Sequence, residues 1–163
     1  IIEKENGGLA SARNAGIRAA TGTYMISFDS DDIMRPDCIK EHLKLASPNT
    51  IVTCGLMAFG SENYTARPKK ASFEVLKKGN VIYSNSLFSK ELWKRIGGFD
   101  ESETMKLGLE DWLFWIECAK GGAEFVTNEY VALLWRRHPN AMSTVTANPN
   151  WEKITKYMKD KTM

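Results

Sequence analysis

The chain has 163 residues, 43% apolar and 26% charged, which is enough to build one domain with a sizeable core and excludes a disordered chain or a disulfide miniprotein. Twenty-two Lys and Arg against twenty Asp and Glu leave a formal charge of +2, too even for the basic footprint of a nucleic-acid binder, so no nucleic acid is expected as partner. The three cysteines, Cys38, Cys54 and Cys118, are odd in number and far apart, which argues against a zinc knuckle or a redox pair and for buried thiols in a reducing compartment.

In chain order, Asn6-Gly7-Gly8 is a turn signal ahead of Leu9, Ala12, Gly16, Ile17 and Ala20, a spacing that lines one face of a helix capped by Asn6 and stopped at Gly22. Thr23 to Phe28 reads as a buried strand that ends in Asp29-Ser30-Asp31-Asp32. Pro36 opens a second helix with Ile39, Leu43 and Leu45 on its apolar face, and Pro48 ends it.

Thr50 to Phe59 predicts a strand, residues 60–70 a surface loop, and Phe73 to Lys78 a short helix. Val81 to Phe88 predicts a further strand, after which Ser89 caps a helix through Leu92, Trp93 and Ile96, stopped by Gly97-Gly98. Glu110-Asp111 begins a helix with Trp112, Leu113, Trp115, Ile116 and Ala119 on its apolar face. Glu124 to Thr127 and Tyr130 to Trp135 are separate strand candidates, and Trp151 to Lys159 a terminal helix. Alternating helices and short strands, with no repeat or linker, predict a single α/β layered domain over residues 1–163. The longest apolar stretch, Ile51 to Phe59, falls well short of the ~18 residues of a membrane span, and Ile1 to Glu5 resembles no signal peptide.

Carboxylates at the carboxyl end of a strand lie where open α/β sheets bind ligands, so Asp29, Asp31 and Asp32 are placed to hold a metal and a phosphate or, more plainly, to cap the next helix. A calcium loop is excluded by Met34 where glycine is needed and Lys40 where glutamate is needed. An aspartyl phosphatase with Asp29 as nucleophile, or a two-metal nuclease pairing these acids with Glu110, would use the same cluster but leaves the rest of the chain unexplained.

Asn6-Gly7-Gly8, Ala12-Arg13-Asn14-x-Gly16, Gly22-x-Tyr24, Phe28-Asp29-Ser30-Asp31-Asp32, Gly97-Gly98-Phe99-Asp100-Glu101, Glu110-Asp111-Trp112 and Arg137-His138-Pro139-Asn140 follow one another in the order found in family 2 glycosyltransferases, which the sequence strongly resembles. The resemblance implies an α/β, partial GT-A fold: a mixed central sheet flanked by helices. It implies inverting transfer of a sugar from a nucleotide-diphosphate donor to a saccharide or lipid-linked acceptor, with Mn or Mg as the divalent cation. By that resemblance Asp31 and His138 hold the metal, and Asp29, Gly7, Arg13 and Asn14 lie against the nucleotide sugar. Asp111 is the catalytic base, and Glu110 orients the acceptor or supports that base.

The residues also have plainer uses. Arg13 could be solvated, Asn14 could bond a neighbouring loop, and His138 could be a surface imidazole. Ser84-Asn85-Ser86 is a candidate sugar-pocket lining, and Trp112, Trp115 and Trp135 are core residues by type, with Trp112 the best placed of them to stack on a sugar.

Members of the family carry further strand-helix units before the Asn-Gly-Gly turn, where this sequence has only Ile1 to Glu5. The expectation is therefore the carboxyl-terminal two thirds of a catalytic domain, in the cytoplasm or peripheral to a membrane, with one sheet flank uncovered and self-associating. The alternative is an inactive remnant that binds metal or nucleotide diphosphate without turnover.

Overall fold

The computed structural model describes residues 1–162. Its elements in chain order are α1 (Gly8–Ala19), β1 (Tyr24–Ile26), β2 (Ile33–Met34), α2 (Cys38–Leu43), β3 (Thr50–Gly60), β4 (Tyr64–Ala66), α3 (Phe73–Leu76), β5 (Leu87–Ser89), α4 (Lys90–Ile96), α5 (Glu110–Lys120), β6 (Glu124–Arg137) and α6 (Trp151–Thr162). The six strands form one mixed sheet in the order β1-β5-β3-β6-β2, with β4 also paired to β3. The spine is the parallel β3–β6 ladder, and every other pairing is antiparallel.

The two strand candidates at Glu124 to Thr127 and Tyr130 to Trp135 are one strand. Its register against β3 slips on either side of Gly55, and the Asn128 side chain accepts the Tyr130 amide at 3.0 Å, closing the irregularity locally. Glycine relieves crowding at position 55, since a Cβ there would stand 3.1 Å from Val131 and 3.2 Å from the Ala66 carbonyl and oblige a neighbour to give way. The loop expected over 60–70 contains β4, which pairs Tyr64 to Ala66 with Ala58 to Leu56.

Most of the strand expected over Val81 to Phe88 is instead turn. Asn80 Oδ1 accepts the Ile82 amide at 3.1 Å, and both the Ser86 amide and hydroxyl donate to the Tyr83 carbonyl, leaving only Leu87–Ser89 to pair. The apolar face read for α2 also differs. Cys38 and His42 are the buried positions, with Cys38 packed against Cys54 and Ala132, while Ile39 and Leu43 face outward. All three cysteines are free and buried.

The core lies between the sheet and α5. Phe88 meets Phe114 and Trp115 edge-on at 5.3 and 5.8 Å, and Phe99 packs on Phe114 at 4.5 Å. Trp112 through Ile116 are all buried, so α5 is enclosed on nearly every side rather than along one stripe. Ser89 accepts the Leu92 amide at 2.9 Å and Gly97 ends α4 in the left-handed region, as the sequence predicts. No described helix is long and apolar enough to cross a membrane.

Candidate active site

The acidic turn is positioned by β2. Its two residues pair antiparallel with Leu134 and Leu133 of β6, and continuing that register backwards carries Asp32 and Asp31 alongside the end of β6. The Arg136 amide donates to Asp32 at 2.8 Å and the Arg136 guanidinium to the Asp31 carbonyl at 2.8 Å. Two residues further, His138 Nε2 lies 3.0 Å from Asp31 Oδ2, with both side chains part-exposed. Burial, against the Arg136 hydrogen bond, moves Asp32 up to about 6. Asp32 does not cap a helix; the residue before α2 is Asp37, whose side chain makes no capping bond.

A second group of acids, from the turn after β1 and the start of α5, meets around Arg13 of α1. Arg13, nearly buried, reaches Glu110 with one guanidinium nitrogen and Asp29, at 3.1 Å, with the other. Burial alone would make Arg13 easier to deprotonate, but Glu110, Asp111 and Asp29 more than offset it and hold the charge on. Glu110 is buried and occupied by this contact. The same burial, opposed by Arg13, pushes both Glu110 and Asp111 upward from the ordinary carboxylate range. Asp29 also accepts from Ser84 Oγ at 3.5 Å and is among the charges that raise Asp111.

Asp111 is half-buried at the first turn of α5 and accepts from its neighbour's amide, Trp112 N, at 2.8 Å and from Asn80 Nδ2 at 3.4 Å. The residue before this helix, Leu109, stands at φ 64°, a left-handed conformation that costs a branched side chain about 1–2 kcal/mol and marks the turn presenting both acids as strained.

Asn14 takes the plainer of its two expected roles. It is buried, its amide nitrogen donates to the Phe99 carbonyl and to Glu101, and its oxygen accepts from the Phe99 amide and Trp93 Nε1. With donor and acceptor capacity spent on the Gly-Gly-Phe-Asp-Glu loop, it has nothing left for a ligand. Gly7 sits at the start of α1 without a side-chain cap; Asn6 Oδ1 takes the Gly8 amide at 3.1 Å, and a Cβ on Gly7 would meet Ser11 Oγ at 2.8 Å. Of Ser84-Asn85-Ser86 only Ser84 faces the acids, the other two being buried.

Trp112 is buried, bonded to the Leu76 carbonyl at 2.7 Å, and the half-exposed ring beside it is Trp151. Arg136, Asn80 and Trp151 are the site neighbours that motif reading passes over; Arg136 alone had a signal, its adjacency to Arg137-His138.

The residues expected at the site thus fall into two linked clusters, Asp31–His138 with Asp32 and Arg136, and Asp29–Arg13–Glu110 with Asp111. The sequence model of glycosyl transferase family 2 matches residues 1–113, the span holding both acidic motifs. The chain belongs to glycosyl transferase family 2.

Against individual members, the family 2 chain is 31% identical over 112 residues to a chondroitin synthase of Pasteurella multocida (strain Pm70), a match covering 62% of this chain and 11% of that protein. Its fold matches S. aureus TarS with a TM-score of 0.71 at 13% identity, over 98% of this chain and 28% of the other. It also matches the mannosyltransferase PcManGT of Pyrobaculum calidifontis, solved with GDP-Man and Mn2+, with a TM-score of 0.58 at 24% identity, over 82% of this chain and 38% of the other. The mixed sheet and flanking helices are a partial GT-A fold, as the sequence led one to expect. The chain spans well under half the length of each of these proteins.

Proposed function

We propose that this chain supplies the cation-binding and proton-accepting half of an inverting sugar transfer from a nucleotide-diphosphate donor to a saccharide or lipid-linked acceptor. The observation that carries the reading is that Arg13 ties Asp29, from the acidic turn, to Glu110, which adjoins Asp111. The proposed base is thus the chain neighbour of a residue that Arg13 ties to the acidic turn.

The donor set suits a divalent cation: a carboxylate oxygen and an imidazole nitrogen face each other at 3.0 Å. No third acid, histidine or cysteine joins them among the described residues, so Asp31 and His138 would hold Mn or Mg together with oxygens of the donor. Bound there, the cation would neutralise the negative charge that grows on the departing diphosphate. The mannosyltransferase solved with GDP-Man and Mn2+ supports this assignment by likeness of fold.

The chain's own residues do the rest. The acceptor hydroxyl oxygen forms the new bond to the anomeric carbon from the face opposite the diphosphate, the old carbon–oxygen bond breaks, and the nucleoside diphosphate leaves. Asp111 takes the hydroxyl proton, its raised affinity for protons keeping it an effective acceptor nearer neutral pH. Glu110, turned into the Arg13 contact, supports the base rather than touching the acceptor. Asp29, steadied by Arg13 and Ser84, remains part-exposed and able to meet the nucleotide's ribose.

Calorimetry with UDP or GDP plus Mn2+, followed by donor hydrolysis, tests the reading. Binding lost in Asp31→Ala and turnover lost in Asp111→Asn are expected. Nucleotide binding without turnover in the unaltered chain would instead favour a binding remnant. No binding of either nucleotide would overturn the reading.

A further inference from the structure

A groove of about 410 Å³ opens between α3, α5 and α6, lined on α5 by Trp112 and Ile116. Its floor is apolar, formed by Trp112, Ile116 and Met158. Trp151 stands at its mouth, its ring 5.5 Å from that of Trp112 and inclined by 31°, and it is 45% exposed. Trp112 is fixed by its bond to the Leu76 carbonyl, so the pair forms a firm aromatic platform.

The polar groups of the lining divide sharply. Both threonine hydroxyls are spent within α6, Thr155 on the Trp151 carbonyl and Thr162 on the Met158 carbonyl, each within 2.8 Å. The uncommitted groups are ammonium ions. Lys78 on one wall and Lys159 on the other are exposed and make no ion pair among the described residues, while Lys77 lies 3.8 Å from Glu74 and 5.2 Å over the Phe73 ring. Among the described residues no carboxylate lines the groove.

An aromatic platform flanked by unpaired positive charges, with a volume in the range of small-ligand sites, matches a ring with one apolar face and a negative substituent. The absence of arginine forks among the described lining residues suits a singly charged carboxylate better than a phosphate. The groove is also joined to the proposed base. Asn80, two residues beyond Lys78, donates to Asp111, and Trp112 directly follows Asp111.

We infer that this groove binds an acidic saccharide, a uronate-bearing segment of the acceptor chain lying behind the sugar whose hydroxyl reacts. The assignment rests on the reading of Asp111 as the base of a sugar transfer. It gives that reaction an acceptor of stated charge, held at sites outside the donor pocket.

The test is titration of the full chain with a chondroitin tetrasaccharide, in which uronates alternate with neutral sugars, against chitotetraose, a neutral chain of equal length. Binding of the acidic tetrasaccharide should be at least tenfold tighter than that of chitotetraose. It should weaken at least tenfold in the double variant Lys78→Glu/Lys159→Glu and in Trp151→Ala, and fall as salt is raised. Both variants alter exposed side chains, and circular dichroism melts verify that they fold.

Equal affinity for the two oligosaccharides, no binding of the acidic one, or affinity unchanged in the variants would each overturn the inference. So would glucose 6-phosphate binding as tightly as the tetrasaccharide, or variant-sensitive binding to phosphatidylglycerol vesicles without oligosaccharide binding. Binding of UDP or GDP with Mn2+, measured on the same samples, separates this failure from failure of the donor reading, because these variants leave Asp31 and His138 untouched.

Discussion

His138 Nε2 lies 3.0 Å from Asp31 Oδ2 although 107 residues separate them, and what joins them is the two-residue strand β2 paired to the end of β6. If this pair grips the cation, His138→Ala should weaken Mn2+ affinity in the presence of UDP or GDP by at least about 10- to 100-fold, the loss that follows removal of even an outer partner of a metal ligand. Electron paramagnetic resonance of free Mn2+ reads this directly. An unchanged affinity removes His138 from the site.

Arg13 is a structural tie, because it neutralises Glu110 where water cannot. Removing one partner of a buried pair strands the other, so Arg13→Ala should cost about 3–5 kcal/mol in urea unfolding. The double variant Arg13→Ala/Glu110→Gln should cost less than the sum of the single changes. Strict additivity would show that the two side chains do not act as a pair.

If Asp111 is the base, its proton affinity sets the acid limb of turnover. Burial raises it and Arg13 lowers it. A base works deprotonated, so kcat/KM should fall on acidification at a pH above the ordinary aspartate range, and Arg13→Met should move that limb higher still. Asp111→Asn should lower kcat by about 100- to 10,000-fold. A profile flat through the carboxylate range would argue against Asp111 as the base.

Asp100 anchors α6. Burial would raise its pKa, but Lys161 at 2.5 Å, with Ser102 and then Tyr157 at 2.8 Å, brings it down to about 2. A carboxylate whose folded value is depressed contributes stability that is present above its unfolded pKa, near 3.8, and is lost as pH falls toward 2. Thermal melts across that window should show an acid-labile contribution that Asp100→Asn removes. Hydrogen exchange in α6 should rise in the same variant.

The outer edge of β1 has no strand partner among the described residues, since β1 pairs only with β5. We propose that this edge associates with a second copy of the chain. Sedimentation velocity at rising concentration should show dimers, and Tyr24→Lys, a charge on that edge, should restore the monomer. A monomer at every concentration would overturn the proposal.

The sequence by itself determined the features that depend on nearest neighbours along the chain: the Ser89 cap, the Gly97 stop, the α5 start at two acids, the length of β3. It also carried the ordered motifs from which the family was read, because each is a short run whose chemistry is local. Local reading faltered where side chains bond back to the main chain, as Asn80 and Ser86 do in turning a strand-like segment, and where a helix is rotated by its neighbours, as α2 is by Cys54 and Ala132. The pairing of partners was left to the tertiary structure. Only the register of β2 on β6 brings His138 to Asp31, and only the packing of α1 against α5 and the acidic turn gives Arg13 its two carboxylates while Asn14, the next residue, is spent on the Phe99 loop. Those contacts join residues 85 or more positions apart in several cases. Their geometry follows from how sheet and helices close on one core, which no short run of residues encodes.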